Sequence, residues 1–497
     1  MFKKIVLGIV VLVAVVVAAF FFLIKVIDFN EYKPRLHKAI KESTGYEVII
    51  RGDITLTLSP IGVSVSDIEV NNPTYHPETP FAKLGSFDVA LDVPALLKKE
   101  IKVTQLSLDG LALNIEKIKD GKFNYDLLPV PTQKAADKKT KENNATVEKE
   151  SDVSAFMNAK KIIFSNSTIS YADVNATNKI VFEHVDLDIN DISYDVSKHS
   201  IQGLYFNADT HIDKIQYGSA YAVQDISMSF ELKNGIAVSN ALKYTLFDTQ
   251  IQGNGKFDFC GKQPKISLKS KIVGLKLASL SKELWGKDLL EGNANGDFKL
   301  SFFVGDGTTF KSTLNGFVQL SGEEITLKGY DIDKIALVLD PFQKEKLNLN
   351  TLISGTIEAF KGGNSVIKEL NTKVDLGYSE IKLSDVALST ASNRIAIKGA
   401  VNIVDEKLMD VKAALLDTKG CAVVEQKFSG TYAKPSVKLD ATAVATLKDV
   451  VLSFTTKSKI THTQPKQNDE NCTVFYDGVI KQPELVLPAT SVPPVSE

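Results

Sequence analysis

The longest apolar pattern comes first. Ile5 to Ile24 carries no charged side chain, and as a helix it would span roughly 30 Å of hydrocarbon, one membrane crossing. Val17-x-Ala19 resembles a signal-peptidase site, but Phe20 to Ile24 prolong the apolar run where a polar mature start belongs. The reading is an uncleaved anchor over residues 1–27. Residues 28–45 follow a helical period, with Tyr32, Leu36, Ala39 and Ile40 on one face, Pro34 in the first turn and Gly45 at the end.

From there the period changes to two. Ile54, Leu56 and Leu58 alternate with Thr55 and Thr57; Val185, Leu187 and Ile189 alternate with Asp186, Asp188 and Asn190. Phe298, Leu300 and Phe302 alternate with Lys299 and Ser301, and Ile395 and Ile397 flank Ala396, with Arg394 and Lys398 outside. Such segments predict strands with one apolar and one wet face. Short helices are predicted near Pro94 to Lys99 and Leu277 to Leu284. An apolar-polar-glycine triplet recurs from Ile50-Arg51-Gly52 to Phe428-Ser429-Gly430 and predicts strand ends or bulges. The fold class is mainly β, one kind of unit continuing along residues 154–480 as along 28–130.

Two stretches interrupt it. Residues 131–153 are charged and poor in large apolar groups, which predicts a linker. Residues 481–497 hold four prolines, which predicts an irregular tail.

Charge names no partner: 58 Lys and Arg balance 60 Asp and Glu, leaving a net charge of −2 and no basic field for nucleic acid. The six histidines are dispersed along the chain without i, i+4 spacing to another ligand. Gly253-Asn254-Gly255 and Gly305-Asp306-Gly307 lack the rest of a phosphate loop and predict turns. Asp186, Asp188, Asn190 and Asp191 lack the glycine and distal glutamate of a calcium loop and read as the wet side of a strand. No nucleophile and base are paired, so neither enzyme chemistry nor a cofactor is expected.

The run DFNEYKPRLHKAIKESTGYEVIIRGDITLTLSP behind the anchor, SVSDIEVNNP (64–73), PFAKLGSFDVALDVPALLKKEIKVTQLSLDG (80–110) and GKFNYDLL (121–128) together resemble the N-terminal region of the AsmA family of bacterial envelope proteins. KIIFSNSTISYAD (161–173) resembles the restart beyond the family's linker, and CAVVEQKFSGTYAKPSV (421–437) its C-terminal portion. The resemblance implies an inner-membrane anchor, a periplasmic body built as a long curved antiparallel sheet with an elongated apolar groove, and kinship with bridge-like lipid-transfer proteins. It implies phospholipid transport or homeostasis between the two membranes and a part in outer-membrane assembly. The alternative is a non-conducting scaffold that binds outer-membrane or envelope assembly proteins.

On this reading Ile54, Leu56, Leu58, Val185, Leu187, Ile189, Phe298, Leu300, Phe302, Ile395 and Ile397 line the groove against phospholipid acyl chains, each methylene removed from water contributing about 0.8 kcal/mol. Some 30 strands at the usual spacing would give roughly 140 Å of groove. In an oxidising compartment Cys421 is expected to pair with Cys472, leaving Cys260 free and buried in a strand.

Overall fold

The computed structural model describes residues 29–44, 47–72, 79–98, 100, 102–118, 122–127, 159–173, 179–198, 200–218, 221–305, 307–333, 361–431, 434–438 and 472–483. The predicted anchor and the charged linker lie outside these residues, as does the tail beyond residue 483. Among the described residues no helix is long and apolar enough to cross a membrane.

The chain divides into two compact units, residues 1–244 and 245–497. The first holds helix α1 (Lys33–Thr44), with Pro34 in its first turn, then β1 (Val48–Ile50), β2 (Ile54–Leu58), β3 (Ile61–Val70) and β4 (Ala82–Leu91). Helix α2 (Val93–Leu97) follows, started by Asp92, whose side chain accepts the Ala95 N–H at 2.9 Å. Next come β5 (Val103–Asp109), β6 (Ala112–Lys117), β7 (Lys161–Asp173), β8 (Lys179–Tyr194), β9 (Leu204–Tyr217), β10 (Tyr221–Lys233) and β11 (Ile236–Leu246), near whose end the division falls.

The pairing is not purely antiparallel as expected. β5 and β6 both run parallel to β7, one after the other along its length, β5 against Lys161–Ser165 and β6 against Thr168–Asp173. The physical reason is a connection: the segment between Lys117 and Lys161 is long enough to return the chain to the start of β5 before β7 begins, whereas a tight hairpin would force antiparallel pairing.

The second unit contains β12 (Thr249–Asp258), β13 (Lys265–Lys276), helix α3 (Leu277–Trp285), β14 (Leu290–Glu291), β15 (Asn293–Phe303), helix α4 (Gly307–Thr313) and β16 (Asn315–Tyr330). It continues with β17 (Lys361–Gly377), β18 (Glu380–Ser389), β19 (Arg394–Asn402), β20 (Lys407–Leu416), β21 (Ala422–Gly430) and β22 (Pro435–Lys438). Among the described residues of this unit the paired strands run antiparallel. Gly286, left-handed at φ 67°, ends α3.

Three local expectations change. Gly253-Asn254-Gly255 is not a turn but the middle of β12: a Cβ on Gly253 would lie 2.3 Å from the Lys269 carbonyl oxygen, so glycine here admits β13 rather than reversing the chain. Cys260 forms no disulfide but is exposed, because β12 ends at Asp258, whose carboxylate accepts the Cys260 N–H and begins the turn to Pro264. The third concerns the wet face of β18 to β21. There a strap, residues 472–482, lies over Ala387, Ala396 and Ala414, with Tyr476 and Ile480 packed among them.

Candidate functional site

In an antiparallel or parallel pair, residues directly opposite one another share a face. In the first unit the register therefore builds apolar rows across successive strands. One runs Leu56, Val63, Val89, Leu106, Ile162, Ile189, Ala208 and Phe230. Beside it run Ile54, Val65, Phe87, Leu108, Phe164, Leu187, Thr210 and Met228 by the same pairings. Val185 continues the face through Ile212 to Ile226, and Leu58 opposes Ile61 at its margin.

The neighbouring parity is polar. Its central row reads Thr55, Ser64, Asp88, Ser107, Ile163, Asp188, Asp209 and Ser229, so Ile163 alone interrupts it. Lys161 donates to Asp188 at 2.7 Å on this side. At the edge, Arg51 binds Glu69, and this hydrogen bond holds the half-buried carboxyl below its ordinary range.

The second unit repeats the arrangement with its own residues. Leu268, Leu300, Gly316, Leu376, Ile381, Val401 and Leu408 form one row. Phe298, Val318, Val374 and Leu383 form the next, and Leu370, Leu388, Ile395 and Leu415 another. Ile397 stands between Val386 and Ala413, while Phe302 opposes Ile266. Phe302 also meets Phe310 of α4 edge-on, centroids 4.9 Å apart.

All eleven residues singled out in the sequence thus lie on the apolar face of their own unit. Ile54, Val185 and Phe298 are buried; Leu56, Leu187, Ile189, Leu300, Phe302, Ile395 and Ile397 are half-buried, and Leu58 is exposed. Half-burial of large aliphatic groups across so many strands means that each row is shielded mainly by its neighbours and keeps apolar area open to a ligand. The sequence missed the row partners supplied by other strands, such as Val89 and Leu376, because register is a tertiary quantity.

Chemistry on the other face is sparse. A hollow of about 820 Å³ opens beside Asn254, Lys269, Lys271, Asp297 and Gln319 in the second unit, lined by polar groups of both signs. Asp417, Cys421 and Cys472 lie close enough to share an ion, but the two sulfurs are joined in a disulfide whose Cα atoms are 6.3 Å apart, so no thiolate remains to bind one.

The model of the AsmA family matches residues 1–210. No curated protein matches the chain.

Proposed function

Since the chain belongs to the AsmA family through residues 1–210, we propose that it is a bacterial envelope protein whose apolar sheet faces carry phospholipid acyl chains between inner and outer membrane. Residues 5–24 would anchor it in the inner membrane, with the remainder in the periplasm. The observation that carries this reading is the continuity of the apolar rows, eight residues from β2 to β10 in the first unit alone. A lipid tail laid on such rows transfers methylenes out of water at about 0.8 kcal/mol each. Headgroups would remain in solvent, and no bond is made or broken. A share in outer-membrane assembly would follow from supplying that membrane with lipid.

The test uses the parity of the strands. A photocrosslinking residue at Leu56, Leu187 or Leu300 in the full chain in membranes is expected to capture phospholipid; one at Thr57, Asp188 or Ser301 is not. Capture at both parities would rule out a one-sided lipid face. If the folded chain captures no lipid anywhere, a scaffold for envelope assembly proteins replaces this function. Topology is checked separately: protease added to spheroplasts should remove a C-terminal epitope, and protection until lysis would refute periplasmic exposure.

A further inference from the structure

Three ligand-type side chains, His184, His211 and Asp213, meet in a block on the polar face of the first unit, on the side opposite Val185 and Ile212, with Asp186 beside them in the register. Asp186 of β8 stands directly across from His211 of β9, and Val185 across from Ile212. Alternation puts His211 and Asp213 on one face of β9, and His184, whose φ of 49° interrupts the alternation of β8, joins them through its contact with Asp213. His211 Nε2 is 3.1 Å from Asp213 Oδ1, and His184 Nδ1 is 3.3 Å from Oδ2 of the same carboxylate. One carboxylate therefore sits between two imidazoles that are 27 residues apart in sequence.

The third strand orients the block. Ser227 of β10 is directly opposite His211, and its hydroxyl is 2.9 Å from Nδ1. That contact leaves Nε2 as the nitrogen turned toward Asp213. A hydrogen bond at the far ring nitrogen is how ligating histidines are commonly oriented. Asp186 Oδ1 accepts the Asn166 N–H at 2.7 Å, which holds this carboxylate beside the block.

We propose that His184, His211 and Asp213 bind a divalent transition-metal ion of the Zn²⁺ class, with Asp186 adjacent as a further oxygen donor. Two imidazoles with a carboxylate match zinc, whereas calcium and magnesium prefer oxygen ligands alone. Bonds of about 2.0–2.1 Å in a tetrahedron put ligand atoms about 3.3–3.4 Å apart, close to the two imidazole–carboxylate separations here, while the ligand atoms of the three residues do not all lie within 4.8 Å of one another until an ion draws them in. The imidazoles contact different oxygens of Asp213, so one ring must swing to join the other on a shared ion. With side chains 63%, 45% and 53% exposed at His184, His211 and Asp213, the ion has an open path from solvent. The carboxylates of Asp213 and Asp186 supply the negative potential. The bound ion would pin β8 to β9 on the polar side, independently of any lipid on the other.

The experiment is equilibrium dialysis of the full chain, purified without a histidine tag, against Zn²⁺ alone, with metal counted by mass spectrometry. One Zn²⁺ per chain is expected, in the wild type and equally in Cys260→Ser. His211→Ala and Asp213→Asn should each weaken binding by tenfold or more, and Ser227→Ala by roughly 10–100-fold through the ring's orientation. Asp213→Asn is a near-isosteric change at an exposed position and Ser227→Ala a small one at a half-buried position, and circular dichroism checks that the sheet survives. Absence of Zn²⁺ binding, unchanged binding in His211→Ala and Asp213→Asn, or loss confined to Cys260→Ser would each overturn the site.

Discussion

The guanidinium of Arg394, buried in β19, donates to the carbonyl oxygen of Ile480 at 3.2 Å and to that of Asp417 at 2.7 Å. One side chain of β19 therefore ties the loop after β20 to the strap, whose Ile480 lies 86 residues from Arg394 in sequence.

Arg394→Lys should loosen the strap, because a single ammonium cannot reproduce the planar fork that reaches two carbonyls. Loss of one charge-assisted hydrogen bond costs about 1.5–3 kcal/mol. Hydrogen exchange over residues 474–481 should speed up while β18 and β19 stay protected; unchanged exchange would show that Arg394 does not hold the strap.

Tyr476 makes the strap sensitive to alkali. Burial, then its hydrogen bond to Asp385 at 2.6 Å, pushes its hydroxyl from 10.0 up to about 12. Because the folded value lies above the unfolded one, this contribution is complete below pH 10 and is lost as pH rises through about 12. Limited proteolysis of the strap should rise across that window. Tyr476→Phe should remove the pH dependence and cost about 1 kcal/mol at neutral pH.

Reduction of the Cys421–Cys472 disulfide, which spans 51 residues, should release constraint worth about 2–4 kcal/mol. Thermal unfolding with and without reductant measures this. A Cys472→Ser variant with the wild-type midpoint would show that the Arg394 and Tyr476 contacts suffice.

Leu300 and Ser301 are adjacent but face opposite sides. Leu300→Asp places a carboxylate beside Leu268 and should destabilise by about 1–3 kcal/mol while abolishing lipid capture nearby. Ser301→Asp, opposite Ser267 and Asn315, should stay within about 0.5 kcal/mol. Equal melting shifts would contradict the assigned faces.

At Gly296 a Cβ would lie 1.9 Å from the Gln319 carbonyl oxygen, a backbone atom that no rotamer change can move. Gly296→Ala should therefore part β15 from β16 locally and cost about 1–3 kcal/mol, seen as a lowered melting temperature. A neutral substitution would refute the close approach.

The amino-acid sequence by itself determined the strands and their faces, since alternation at Leu56, Leu187, Leu300 and Ile397 is a local property that any strand must turn into two sides. It also determined α2 and α3, whose caps and breakers, Asp92 and Gly286, act within a few residues. What depends on register was decided only by the tertiary structure. The parallel placement of β7 beside β5 and β6, the strap over Ala387, Ala396 and Ala414, and the exposed turn at Cys260 all follow from where the chain returns. The same holds for His184 and His211: their spacing carries no ligand signal, and Asp186 reads as a wet strand position. Antiparallel pairing of β8 with β9 converts those dispersed residues into neighbours, because cross-strand contact depends on register and not on distance along the chain.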